Sequence, residues 1–108
     1  MFQAEVIVVY GMYECQKSFS LSVPPQTGWI LRTGATLLHV KHITQNLDTD
    51  SVRVFCGADS LATLWELFSK QKGWTVNNPD AFQADPAVTK AVRQYEERMA
   101  RIRAQIGG

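Results

Sequence analysis

The C-terminal part of the chain carries the most regular pattern of apolar positions in the sequence. Apolar side chains recur there at alternating intervals of four and three residues, which is the spacing of one narrow stripe along an α-helix. The stripe consists of Val88, Val92, Tyr95, Met99, Ile102 and Ile106. Asp85 and Pro86 stand before it, in the order of a helix cap followed by the first helical residue. The sequence therefore predicts a helix over residues 86–106, about 31 Å long.

The first half of the chain is patterned for β-strands. Residues 4–10 are apolar on both faces of a strand, which is typical of a strand in the middle of a sheet with both faces covered. Residues 13–23 alternate between apolar and polar, as expected for a strand with one face in water. The short link Gly11-Met12 between them predicts a hairpin. Residues 37–43 and 52–56 are predicted to form a second hairpin across a polar loop.

Helical spacing returns after the last predicted strand. Asp59 or Ser60 stands where a helix cap is needed, and Gly73 marks the expected end of that helix. Apolar residues lie between them at intervals of three and four: Leu61, Leu64, Trp65 and Phe68. We expect the connector to the C-terminal helix to be ordered and anchored by Trp74 and Phe82.

These elements predict one α+β domain spanning residues 1–108, mainly β over 1–57 and mainly helical over 58–108. Its expected architecture is an antiparallel sheet of about four strands in two hairpins, followed by two helices. The C-terminal helix is the long, amphipathic one. A chain of 108 residues is long enough to bury one hydrophobic core without disulfides or a metal ion.

Composition and charge argue against several classes of protein. Cys15 and Cys56 form neither a disulfide framework nor a metal-ligand spacing. The longest apolar run, residues 6–9, is far shorter than the roughly 20 residues of a membrane span, and the first residues lack a secretory signal pattern. We therefore expect a cytoplasmic protein without membrane contact. The net charge of +1, with +3 in residues 86–108, is too small to favour nucleic acid as a partner.

The apolar stripe allows two interpretations. The helix either covers the chain's own sheet or pairs with another copy, and the stripe is narrower than that of most core-facing helices. In a parallel pair Arg98 would face Arg103 of the partner, so an antiparallel or sheet-supported arrangement is favoured. We expect a homo-oligomer, most simply a dimer, or contact with another protein. The candidate interface residues are Val88, Val92, Tyr95, Met99, Ile102 and Ile106.

Few residues are candidates for catalysis or metal binding. His39 and His42 are three residues apart on a predicted strand, so we expect them to point to opposite faces and not to share a metal ion. Cys15 and Cys56 fall on apolar strand faces, where a thiol behaves as a small buried hydrophobe. The sequence therefore predicts no catalytic residue, no metal site and no cofactor.

One region has the composition of a binding surface. Trp29 and Arg32 lie between two glycines, and His39 and Lys41 lie on one face of the following strand. The leading hypothesis is nevertheless a small, non-enzymatic interaction or adaptor module that self-associates through the C-terminal helix or a sheet edge. The alternative is a small-ligand-binding protein or enzyme with a cleft near those four residues. A weaker alternative is a nucleic-acid accessory protein that uses the basic C-terminal helix.

Overall fold

A six-stranded sheet and three helices make up the computed structural model, which describes residues 2–107. The elements are β1 (Phe2–Tyr10), β2 (Tyr13–Leu21), β3 (Ile30–Thr33), β4 (Thr36–Asn46), β5 (Ser51–Gly57), α1 (Leu61–Lys70), β6 (Thr75–Val76), α2 (Pro79–Ala84) and α3 (Pro86–Gly107). The predicted α+β class and the long C-terminal helix are confirmed. The expected four strands and two helices were coarser than the structure, because β3 is a separate short strand and the connector contains both β6 and α2.

The strands lie in the order β3-β4-β5-β1-β2-β6. The hairpins β1–β2 and β4–β5 are present, and β1 is an interior strand, as its two apolar faces predicted. The expectation that both faces of β1 are covered is wrong, because the helices pack only on the face that carries Ala4, Val6 and Val8. The sheet is not wholly antiparallel, however, because β5 pairs with β1 in the same direction. After β2 the chain crosses to the far edge and returns through β3 and β4. Strand β5 therefore pairs with the edge of β1 that β2 leaves free and runs parallel to β1.

The segment after α1 ties the two ends of the sheet to one helix. The Gln71 side-chain amide donates to the Thr33 carbonyl at 2.9 Å and accepts from the Thr33 hydroxyl at 2.9 Å. At the other end of the sheet, Lys17 of β2 donates to the Lys72 carbonyl at 2.8 Å. Residues 71–72 therefore hold β3 and β2 towards each other, and the sheet is curled around its helix-covered face.

The core lies between that face and the helices, and an aromatic cluster occupies its centre. Phe82 of α2 is fully buried. Its ring lies 5.1 Å from that of Tyr13, 5.8 Å from that of Phe68 and 6.1 Å from that of Trp65. Phe82 and the buried Trp74 thus anchor the connector, as the sequence predicted.

Side-chain caps start both long helices. The hydroxyl of Ser60 accepts from the backbone N–H of Ala62 at 3.2 Å, which makes Ser60 the cap of α1. The Asp85 carboxylate accepts from the backbone N–H of Ala87 at 2.8 Å at the start of α3. Its other oxygen accepts from the Tyr13 hydroxyl at 2.7 Å. The hydrogen bond from the Tyr13 hydroxyl, and after it the one from the Ala87 N–H, lowers the pKa of Asp85. The same Tyr13–Asp85 hydrogen bond raises the pKa of Tyr13.

This pair predicts a stability loss in acid. Because the pKa of Asp85 is lowered on folding, its contribution is complete above the usual 3.8 and disappears as the pH falls through the folded-state value. We expect the urea midpoint of the wild type to fall more between pH 6 and pH 3 than that of Asp85→Asn, in which position 85 does not titrate. Equal losses in the two proteins would contradict a lowered pKa. The fall in urea midpoint of Tyr13→Phe should lie between those of the wild type and Asp85→Asn, because Asp85 still titrates and keeps its hydrogen bond from Ala87.

Within residues 2–107 no helix is both long enough and apolar enough to cross a membrane. The 22 residues of α3 reach the necessary length, but charged side chains recur along the whole helix.

Candidate functional site

The apolar stripe of α3 passes from the core of the protein to its surface. Val88 is 1% exposed and Val92 packs against the core. Tyr95 and Met99 are partly buried. Exposure then rises to 40% at Ile102 and 81% at Ile106. The first two candidate interface residues therefore belong to the chain's own core. The other four, Tyr95, Met99, Ile102 and Ile106, are called the distal seam below.

The change from buried to exposed occurs where α3 passes the beginning of α1. Ser60, the cap of α1, borders a groove of about 440 Å³ together with Ala91, Tyr95 and Arg98 of α3. Past this groove α3 extends for another two turns, which contributes to a longest dimension of 51 Å. Helix α3 thus packs on α1 and α2 through its first half and projects with its second.

The arginines of α3 are not gathered on one side of the helix. At about 100° per residue, Arg93, Arg98, Arg101 and Arg103 are spread over roughly 220° of the circumference. Arg98 and Arg103 border the distal seam on opposite sides, and the guanidinium carbon of Arg98 lies 6.0 Å from the centre of the Tyr95 ring. This spread is unfavourable for the nucleic-acid alternative, which needs a continuous basic face.

The four residues of the predicted ligand cleft lie around β3 and β4 but not on one surface. Arg32 pairs with Leu37 and Ile30 with His39, on the sheet face that carries no helix. Lys41 joins them there, since its side chain lies over Gly57. Trp29 instead lies opposite Val40, a core residue, because the Trp29 carbonyl accepts from the Val40 N–H at 2.9 Å while the N–H of Gly28 donates to the Val40 carbonyl at 2.9 Å. Strand alternation therefore places Trp29 on the helix-covered side. Three of the four residues therefore share a face.

The two histidines differ from the sequence expectation. A bulge between Val40 and His42 shifts the register, so that His39 lies opposite Gly57 and His42 opposite Phe55. Both histidines therefore lie on the same open face, and the His42 ring is 5.8 Å from the Phe55 ring. The described residues contain no group of three or more histidine, cysteine, aspartate or glutamate side chains that could hold a metal ion.

Both cysteines are buried free thiols. Cys15 and Cys56 lie on either side of Val8 in one row of the sheet, so two strand spacings, about 10 Å, separate them. That distance is too long for a disulfide. Burial raises the pKa of Cys15 to about 12 and that of Cys56 to about 11, so both are protonated at neutral pH. Burial therefore disfavours the thiolate, the nucleophilic form, at both positions.

A small apolar cavity lies where the two ends of the curled sheet approach each other. Its volume is about 140 Å³, and Arg32 and Thr33 of β3 border it. The remaining lining is apolar and comes from four strands: Val6, Phe19, Leu21, Leu31 and Leu38. Sequence reasoning identified Arg32 as a binding candidate but missed the cavity. The periodicity along each strand gives no information about which distant strands approach each other, here β3 and β4 on one side and β2 on the other.

No family model matches the chain, and no curated protein and no solved structure matches it either. The functional assignment therefore depends on the geometry of the distal seam, the open sheet face and the cavity.

Proposed function

We propose that this protein is a small, non-enzymatic, cytoplasmic interaction module that forms a homodimer through the distal seam of α3. The observation that carries the proposal is that one regular apolar stripe begins in the core at Val88 and Val92 and ends exposed at Ile102 and Ile106 on a projecting helix. An exposed apolar stripe of this kind is typical of a helix that packs against a partner. Cys15 and Cys56 are both free thiols, which agrees with a reducing compartment.

Charges beside the seam favour an antiparallel pair. Met99 of one copy would lie opposite Ile102 of the second, and Tyr95 opposite Ile106. Glu96 and Arg103, which follow Tyr95 and Ile102 on the same flank, then face each other twice across the two-fold axis. A parallel pair would instead bring Arg98 of one copy against Arg103 of the other, and these two positive charges would repel each other.

The predicted dimer is weak and reversible. Full burial of one large apolar side chain gains about 1.5–3 kcal/mol. Each copy contributes only four such side chains, two of them already partly covered, against an association cost of roughly 4–15 kcal/mol. We therefore expect dissociation in the micromolar range.

The first test introduces a charge into the seam. Ile102→Asp should keep the protein at its monomer mass of 12.1 kDa, because a carboxylate would have to be desolvated in the interface. Sedimentation equilibrium should find the wild type approaching twice that mass at about 100 μM and above. Ala104→Asp is the matched control, since it adds the same charge on the opposite side of the same exposed turn. A wild type that stays monomeric, or equal effects of the two variants, would refute the proposal.

A charge exchange then determines the orientation of the pair. In the antiparallel arrangement Arg103→Glu places like charges opposite each other and should weaken the dimer, and Glu96→Arg combined with Arg103→Glu should restore it. In a parallel arrangement Arg103→Glu would remove the repulsion with Arg98 and strengthen the dimer. The sign of this one change therefore separates the two geometries.

A further inference from the structure

The open face of the sheet, which carries no helix, has two halves of different charge. Strands β3, β4 and β5 contain no aspartate or glutamate, and the bulge in β4 brings both histidines of the chain onto this face. The acidic residues of the strands, Glu5 and Glu14, lie on the other half, on β1 and β2. The half formed by β3, β4 and β5 is called the basic face below, and its side chains include Arg32, His39, Lys41, His42, Arg53 and Phe55.

The positive charge of the basic face is available to an anionic partner. Arg53 lies 3.7 Å from Glu5 at the boundary between the two halves, whereas Arg32 and Lys41 form no ion pair among residues 2–107. The Nε of Arg32 donates to the Gly34 carbonyl at 3.1 Å, and this leaves the terminal guanidinium nitrogens available for phosphate oxygens. The net charge of +1 does not predict this surface, because most of the acidic residues lie elsewhere in the chain.

Aromatic and imidazole rings lie between these charges. The His42 ring is 5.8 Å from the Phe55 ring, and the two planes are inclined at 41°. His39 and His42 are exposed, and Phe55 is partly exposed beside Ile7 of the neighbouring strand. Accessible rings on a sheet surface can stack on unpaired bases, and such stacking tolerates any base because every base has a π-face.

The combination of cations and rings distinguishes between anionic partners. The bases of a duplex already stack on each other, so a duplex would leave the rings unused, whereas a single strand offers phosphates and unpaired bases together. Ile30 and Leu37 are exposed on the same face, which makes an anionic membrane the competing partner. A membrane is disfavoured because Phe55, the large aromatic residue of the face, is partly buried on an interior strand and does not project towards acyl chains.

From these features we propose that the basic face binds single-stranded nucleic acid without base specificity. Phosphates pair with Arg32, Lys41 and Arg53, and bases stack on His42 and Phe55. The basic face shares no residue with the distal seam, so a monomeric protein keeps this site.

Fluorescence anisotropy with labelled oligothymidylate and oligouridylate of about ten nucleotides tests the site. At about 50 mM salt we expect micromolar dissociation constants for at least one of these single strands and weaker binding of a hairpin duplex. The logarithm of the association constant should fall with the logarithm of the salt concentration with a slope of about −2, or about −0.7 for each of three phosphates. Absence of binding, equal binding of the duplex, or binding only to phosphatidylserine-containing vesicles would overturn the proposal.

Two pairs of variants assign the binding to the basic face. Phe55→Leu removes the ring and should weaken binding at least about fivefold, whereas Tyr10→Leu, at the end of β1 on the opposite face, should have no effect. Lys41→Gln should weaken binding and reduce the salt slope by about 0.7, whereas Lys90→Gln removes the same charge from α3 and should change neither. Lys41 is exposed, so this variant is expected to fold even if Phe55→Leu does not. Unchanged affinity in a folded Phe55→Leu, or equal effects of the two lysine variants, would refute the proposal.

Discussion

Replacing Val88 with aspartate is expected to destabilise the protein by on the order of 4 kcal/mol, whereas the same change at Ile106 should alter stability by less than about 0.5 kcal/mol. Val88 is 1% exposed and belongs to the core that α1 and α2 complete, while Ile106 is 81% exposed. An aspartate at position 88 must therefore either bury an unpaired carboxylate or separate α3 from the rest of the protein.

Urea denaturation followed by circular dichroism measures this difference. The experiment requires a protein concentration at which the chain is monomeric, so that loss of the dimer does not contribute to the result for Ile106→Asp. Similar free energies of unfolding in the two variants would mean that the stripe of α3 is uniformly exposed or uniformly buried. Either result would contradict the division on which the proposed function depends.

Truncation of Phe82 to alanine should cost about 3–5 kcal/mol. Its ring fills the centre of the aromatic cluster and contacts residues of β2 and α1, so its removal leaves a cavity that three other rings cannot fill without moving. Since a domain of this size has a total stability of about 5–15 kcal/mol, the variant should be close to the limit of folding at physiological temperature.

Thermal unfolding checks this prediction, with Leu47→Ala as the control. Leu47 is 87% exposed in the β4–β5 loop, so its truncation removes a large apolar side chain without opening a cavity, and we expect a change within about 0.5 kcal/mol. A midpoint for Phe82→Ala close to that of the control would show that α2 is not part of the cooperative core.

The local elements of this fold were predictable because their determinants lie close together in the sequence. The alternating residues of β2, the cap at Ser60 and the Asp85-Pro86 start of α3 each depend on neighbours within a few positions. The interior position of β1 was also predictable. Ile7 is buried on the open face although no helix packs there, and it lies between Gln16 and Phe55 of the two neighbouring strands.

The remaining features depend on contacts between distant residues. Parallel pairing of β1 with β5 is decided by the path of the chain through β3 and β4, and no local pattern records it. The bulge at Lys41 adds one residue to β4, and this reverses the inferred relation between His39 and His42. The cavity likewise lies between strands that are distant in the sequence and are connected through Gln71 and Lys17 to the segment after α1. The stripe of α3 was visible in the sequence, whereas the position at which it leaves the core was not.

The parallel contact between β1 and β5 has a kinetic consequence. Ala4 pairs with Val52, nearly half the chain away, so this register forms only after a large loop has closed and its entropic cost has been met. The β1–β2 hairpin needs no such closure and can form in microseconds. Refolding should therefore be limited by the docking of the β3–β4–β5 unit onto an early hairpin. During that delay the edge of β1 that later pairs with β5 is open, and an unpaired strand edge can pair with another chain.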